Sequence, residues 1–132
     1  MKTSAIILVG GEGTRLRPLT LELPKPVVPV LDRPFLRFQL DLLRGAGITD
    51  IVLCVAFRPE RIRAVLGDGQ ADGVRLTYVL EETPLGTGGA VKNAEGALGE
   101  RVVVLNGDVL ADMDLGAILR VHEDTRAAAT IV

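Results

Sequence analysis

Apolar residues fall into five short, mostly β-branched runs, at Ser4–Val9, Ile51–Phe57, Val74–Leu80, Arg101–Leu105 and Ala128–Val132, and each reads as a strand. The intervals between them carry helical spacing. "RPFLRFQLDLLRGAGI" places Pro34 in a first helical turn and sets Phe35, Phe38, Leu42 and Ala46 along one apolar face, with Gly45 or Gly47 as the stop. Shorter helices are predicted over Pro59–Leu66, Gly88–Leu98 and Leu115–His122. Strands alternating with helices in this way predict βαβ units and an α/β fold built on a mainly parallel sheet. No repeat, linker or low-complexity segment divides the 132 residues, which suffice for one domain with a sizeable core. The closing "AAATIV" is strand-like with no element after it, so this reading expects the domain to be truncated on its C-terminal side.

Composition narrows the function classes. The chain has 15 basic and 17 acidic residues for a formal charge of -2, so no overall field favours nucleic acid or a membrane surface, and any anion site must be local. The apolar "SAIILV" is far shorter than a membrane span and has no cleavage-site pattern after it, which by default implies a cytoplasmic protein. Cys54, the only cysteine, lies within "IVLCVAF" and reads as a buried strand residue.

The densest chemistry lies in "LVGGEGTRLRPLTLELPKPVVPV", directly after the first strand and therefore at the carboxyl edge of a parallel sheet. Gly10, Gly11 and Gly13 let the backbone approach a ligand and aim N–H groups at it, while Arg15 offers a forked donor to phosphate oxygens. Lys25, between Pro24 and Pro26, is expected on a stiffened, extended backbone that aims its ammonium. Two familiar phosphate motifs fail. Residues 11–16 lack the third glycine of the dinucleotide fingerprint, and no Gly-Lys-Ser/Thr occurs anywhere, as a P-loop requires. His122 has no second histidine or cysteine at ligand spacing and reads as a solvent-facing helical residue. Asp112 and Asp114 form a D-x-D pair, which many metal-dependent glycosyltransferases use, although Asp114 is equally suited to cap the helix starting near Leu115.

"GGEGTRLRPLTLELPKPVVPV", "EETPLGTGGAV" (81–91) and "VVVLNGD" (102–108) together resemble the signature of the sugar-1-phosphate nucleotidylyltransferases, or nucleotide-sugar pyrophosphorylases. The resemblance implies a Rossmann-like, three-layer α/β/α nucleotide-diphospho-sugar transferase fold. Residues 1–132 would be its nucleotide-binding part, with the sugar-binding part and a second metal-binding aspartate downstream. The implied reaction joins a nucleoside triphosphate and a sugar-1-phosphate into a nucleotide sugar, releasing pyrophosphate. Carried over residue by residue, it assigns the nucleotide to Leu8, Gly10, Gly11, Gly13, Thr14, Arg15, Pro84, Gly86 and Thr87, and the sugar to Gly88. Arg15, Lys25 and Asp108 become the catalytic residues, with Asp108 holding Mg²⁺ against phosphate oxygens. Phrases such as "VLNGDVLADMDL" look most like the mannose- or heptose-1-phosphate guanylyltransferase branch, so GTP is favoured. Thymidylyl- and cytidylyltransferases of glucose-1-phosphate remain alternatives, as do a D-x-D glycosyltransferase and a non-catalytic nucleotide-binding module. A homo-oligomer is expected, and the balanced charge and the lack of a membrane-length apolar run imply no nucleic-acid or membrane partner.

Overall fold

A computed structural model of the chain describes every residue except 12, 13, 20 and 22, with Thr14 described in its backbone alone. Four strands, β1 (Thr3–Val9), β4 (Asp50–Val55), β5 (Arg75–Leu80) and β6 (Arg101–Asn106), form one sheet in the order β5-β4-β1-β6, every neighbouring pair parallel. β2 (Pro29–Val30) and β3 (Arg33–Pro34) make a small antiparallel hairpin apart from it. The α-helices among the described residues are α1 (Phe35–Gly45), α2 (Pro59–Leu66), α3 (Gly86–Asn93) and α4 (Leu115–Thr125).

The central strands β1 and β4 are near-continuous apolar runs because both faces of the sheet are covered there. On β1, Ala5, Ile7 and Val9 join Leu36, Leu40 and Leu43 of α1, Ile62 and Leu66 of α2, and Leu115 of α4 in the larger core. The alternate residue Ile6 turns to the other face, where it joins Val52, Cys54 and the alanines Ala90 and Ala94 contributed by α3 and its C-cap. Helices on both sides of a parallel sheet give the three layers expected from the sequence.

Three expectations need correction. The buried face of α1 is Leu36, Gln39, Leu40 and Leu43, while Phe35 and Phe38 are only half-buried. Both sets have helical spacing, and the core takes the one nearer the sheet. Phe38 lies instead under the Arg33 guanidinium, 4.8 Å from its ring centre. The second correction concerns α3, which starts at Gly86 and ends at Asn93, with a separate 3-10 turn over Glu95–Ala97. Lastly, residues 128–132 form no strand, and Ile131 and Val132 are exposed. An apolar run becomes a strand only when its backbone pairs; here Thr130 Oγ1 meets His122 Nδ1 of α4 at 2.9 Å and no ladder to β6 forms. The predicted stop of α1 holds at Gly47, whose φ of 79° lets its N–H reach Arg44 O (2.9 Å) while Ile48 N–H reaches Leu43 O (2.9 Å).

Cys54 is fully buried with Sγ 3.6 Å from Ala90 O, and burial, assisted by the Glu81 charge, pushes its thiol up to about 11. Only the thiolate is nucleophilic. The native protein at pH 8 is therefore expected to resist a disulfide reagent such as DTNB and to react fully once unfolded in urea. Equal labelling rates in the two states would place the thiol at the surface.

Candidate active site

The ladder register sets the carboxyl ends of all four strands level, with Val9 opposite Val55, Val55 opposite Leu80 and Leu8 opposite Asn106. After β1 the chain adds β4 and β5 on one side and then crosses to add β6 on the other, so the winding reverses at β1. Crevices at such reversals are where open α/β sheets bind ligands. An open cleft of about 740 Å³ lies there, within the range of small-molecule sites.

Most residues singled out from the sequence converge on this cleft. Leu8, Gly10, Gly11, Arg15 and Lys25 line it from the β1 side, Pro84, Gly86 and Thr87 from the start of α3, and Asp108 from the end of β6. Gly88 lies in the first turn of α3 but outside the lining. Gly13 is outside the described residues. The backbone of Thr14 lies in the 3-10 turn Thr14–Leu16 that also carries Arg15. Asp112 and Asp114 are away from the cleft; Asp114 Oδ1 accepts from Ala117 N at 2.9 Å, capping α4 as its sequence position suggested.

Lys25 is aimed differently from expectation. Only Pro24 is extended (φ -59°, ψ 145°), and Lys25 itself opens a 3-10 turn over Lys25–Val27, closed by Val27 N–H to Pro24 O at 3.0 Å. Proline is tolerated in a first turn because its missing N–H has no intrahelical partner to lose. Pro24, Pro26 and Val27 are buried, so the turn is anchored on the core and leaves the lysine side chain facing the cleft. Its Nζ lies 3.2 Å from Asp108 Oδ2, joining residues 83 apart in sequence. The two side chains are 37% and 52% exposed. A pair this open is worth at most about 1 kcal/mol and can be separated by an incoming phosphate at little cost.

Asp108 owes its place to the turn after β6. Gly107 N–H donates to Leu8 O at 2.8 Å, carrying the β1–β6 pairing one step further, and Val109 N–H reaches back to Asn106 O at 3.3 Å. A Cβ on residue 107 would lie 2.5 Å from Val9 Cγ1 and 2.8 Å from Leu8 O, so only glycine permits that approach.

Sequence reasoning missed Glu81, Ala56, Phe57 and Asn106, which the parallel register brings to the same edge. Glu81 continues β5, its N–H donating to Val55 O at 2.9 Å, and its carboxylate oxygens come within 4.0 Å of where a Cβ on residue 10 would be. No residue spacing marks it; its position follows from the β4–β5 ladder. Among the described lining residues, Arg15 and Lys25 face Glu81, Glu82 and Asp108. Two cations against three carboxylates leave a triphosphate short of positive charge. No group of three potential metal ligands occurs among the described residues. An accessible carboxylate such as that of Asp108 suits a cation that keeps its waters and takes phosphate oxygens, as Mg²⁺ does, and does not form an all-protein cage. No helix among the described residues is long and apolar enough to cross a membrane.

Comparison with known proteins agrees with this geometry. The chain is 45% identical over 131 residues to a mannose-1-phosphate guanylyltransferase of Mycobacterium tuberculosis, a match covering 98% of this chain and 36% of the relative. It therefore spans about a third of the length of the curated relatives it matches. Among solved structures, one from Bacillus anthracis, named as a glucose-1-phosphate thymidylyltransferase in complex with sucrose, superposes with a TM-score of 0.86 at 30% identity, covering 93% of this chain and 51% of that one. HddC from Yersinia pseudotuberculosis complexed with GMP-PN superposes at 0.80 and 30% identity, covering 94% and 55%. The family model described as nucleotidyl transferase matches residues 4–132, and the chain belongs to that family.

Proposed function

We propose that the full chain transfers a nucleotidyl group from a nucleoside triphosphate, GTP by preference, to a sugar-1-phosphate such as mannose-1-phosphate. The observation that carries this reading is the meeting of Arg15, Lys25 and Asp108 around one cleft at the sheet reversal, with Lys25 and Asp108 3.2 Å apart. The similarity to guanylyltransferases supports the choice of base and sugar. In the reaction a phosphate oxygen of the sugar-1-phosphate forms a bond to the α-phosphorus. The bond from that phosphorus to the bridging oxygen breaks, and pyrophosphate leaves with the electron pair.

The backbone at Gly10 and Gly11 holds the nucleoside, Arg15 binds the triphosphate oxygens, and the first N–H groups of α3 at Gly86 and Thr87 supply further donors. Lys25 lets go of Asp108 to bridge the two reacting phosphates, lowering their repulsion and stabilising charge that builds during displacement. Asp108 would hold Mg²⁺, which supplies charge neutralisation on the triphosphate.

Base choice is assigned to Glu81. A carboxylate accepts two adjacent hydrogen bonds, which matches the neighbouring N1–H and 2-amino donors of guanine, whereas uracil and thymine present one N–H between two carbonyls that would repel it. Pyrophosphate release over a grid of four nucleoside triphosphates and several sugar-1-phosphates tests the whole reading, and the largest kcat/KM is expected for GTP. Glu81→Gln replaces one acceptor with a donor, so the GTP advantage over UTP should fall by about 10-fold or more. An unchanged ratio would remove Glu81 from base recognition, and no release with any pair would refute the nucleotidyl transfer.

A further inference from the structure

Gln39 stands out in the otherwise apolar buried face of α1. It is 3% exposed between Leu36, Leu40 and Leu43, a position where leucine would satisfy the core better. Its Nε2 donates to two backbone carbonyls, Asn106 O at 2.7 Å and Val109 O at 2.6 Å. Both partners are acceptors only, so the amide nitrogen must face them and the orientation is fixed by chemistry. The consequence is that Oε1 is buried without a hydrogen-bond partner among the described residues. Leaving a buried acceptor unpaired is destabilising, and the core carries that cost at a site where an apolar side chain would carry none.

The two carbonyls bracket Asp108. Gln39 thus closes the turn 106–109 from the α1 side, while Gly107 N–H fixes it to Leu8 O from the β1 side. The same helix begins just after the hairpin that follows Lys25, with Phe35 N–H donating to Val28 O at 3.1 Å and Val28 N–H to Lys25 O at 3.2 Å. One rigid element therefore sets the Asp108 turn relative to the Lys25 turn.

We propose that Gln39 is a positioning residue, acting through its paired hydrogen bonds to the Asn106 and Val109 carbonyls to hold the Asp108 carboxylate at the metal and phosphate position beside Lys25. This rests on the reading of Asp108 as the metal-holding carboxylate given above, and deepens it. A buried amide that only filled space would have no need to reach both ends of one turn, and a hydrogen-bonded support orients a ligand that the turn alone would leave loose.

The test is a double-mutant cycle in the full chain, joining Gln39→Met, which keeps length and removes both donors, with Asp108→Asn. The readouts are kcat, KM for the sugar-1-phosphate, and Mn²⁺ affinity followed by EPR in the presence of a non-hydrolysable nucleoside triphosphate. Gln39→Met is expected to weaken Mn²⁺ binding and lower kcat by about 10-fold each while KM for the sugar phosphate is unchanged. In the Asp108→Asn background it should add almost nothing, because the group it positions is gone. Gln39→Asn, too short to span both carbonyls, should act in the same direction and serves should the Met variant fold poorly. A folded variant of either kind with unchanged Mn²⁺ affinity and kcat, while Asp108→Asn weakens both, overturns the positioning role alone. So does a full additive loss in the double mutant. Asp108→Asn with undiminished Mn²⁺ affinity overturns the metal reading and this inference with it.

Discussion

Lys25→Ala is expected to lower kcat by about 10²- to 10³-fold, the loss typical of one preorganised donor to a transition state, while the fold survives. The turn that carries Lys25 is anchored independently of its side chain. Buried Pro24, Pro26 and Val27 hold the backbone whatever the side chain at residue 25, and the ion pair that is removed lies open to solvent on both sides. Thermal unfolding of the variant should therefore stay within about 3 °C of the parent. Charge alone is not what the site needs from this residue. Lys25→Arg keeps the cation but replaces a compact ammonium by a planar fork, so only part of the activity should return. Single-turnover pyrophosphate release separates the chemical step from product release and reads the effect directly. If Lys25→Ala kept near-normal turnover while Arg15→Ala abolished it, Lys25 would be a bystander of the cleft.

The parallel sheet and most of the site were legible because both are written in local signals. Apolar runs such as "AIILV" and "IVLCV" have no polar alternation, which only a sheet covered on both faces requires. The cleft-lining residues sit where strands end, and the ends of β1 and β6 were readable from the glycines that follow them, Gly10 and Gly107. What stayed hidden depends on partners distant in sequence. The face of α1 was misassigned because Gln39 breaks its apolar stripe, and the reason for a glutamine there lies 67 and 70 residues away at Asn106 and Val109. Glu81 is an ordinary acid until the β4–β5 register places it at the cleft. The β2–β3 hairpin turns through Leu31 and Asp32 with φ of 50° and 62°; aspartate hints at such a turn, but leucine conceals it. The run at 128–132 shows the reverse error, since strand-like composition does not supply a ladder partner.

Asp108→Asn should reduce kcat/KM by about 10²-fold and raise the Mg²⁺ concentration needed for half-maximal activity, again without loss of the fold. The substitution keeps volume and planarity and removes one charge, so whatever it changes is electrostatic. Its position makes a structural role small: the side chain is half exposed, its hydrogen bond is to the solvent-accessible Lys25 Nζ, and the turn that carries it is held by Gly107 N–H and Gln39 Nε2 through backbone groups that asparagine leaves in place. Two opposite effects meet in this variant. Releasing Lys25 from its partner frees the ammonium for phosphate, which by itself would tighten nucleotide binding. In its proposed role, losing the carboxylate would remove a ligand from the divalent cation, and of the two the second is expected to win, because a cation bearing two charges against a triphosphate outweighs an exposed single ion pair. Titrating Mg²⁺ against activity and against nucleotide affinity separates the contributions: tighter metal-free nucleotide binding together with a higher Mg²⁺ concentration for half-maximal activity is the expected signature. Asp112→Asn and Asp114→Asn should leave the Mg²⁺ requirement in place, since both carboxylates stand away from the cleft and Asp114 is engaged with Ala117 N–H. A metal requirement that moved with Asp112 or Asp114 and ignored Asp108 would transfer the metal site to the start of α4 and dissolve the pairing of roles between Lys25 and Asp108 on which the proposed chemistry depends.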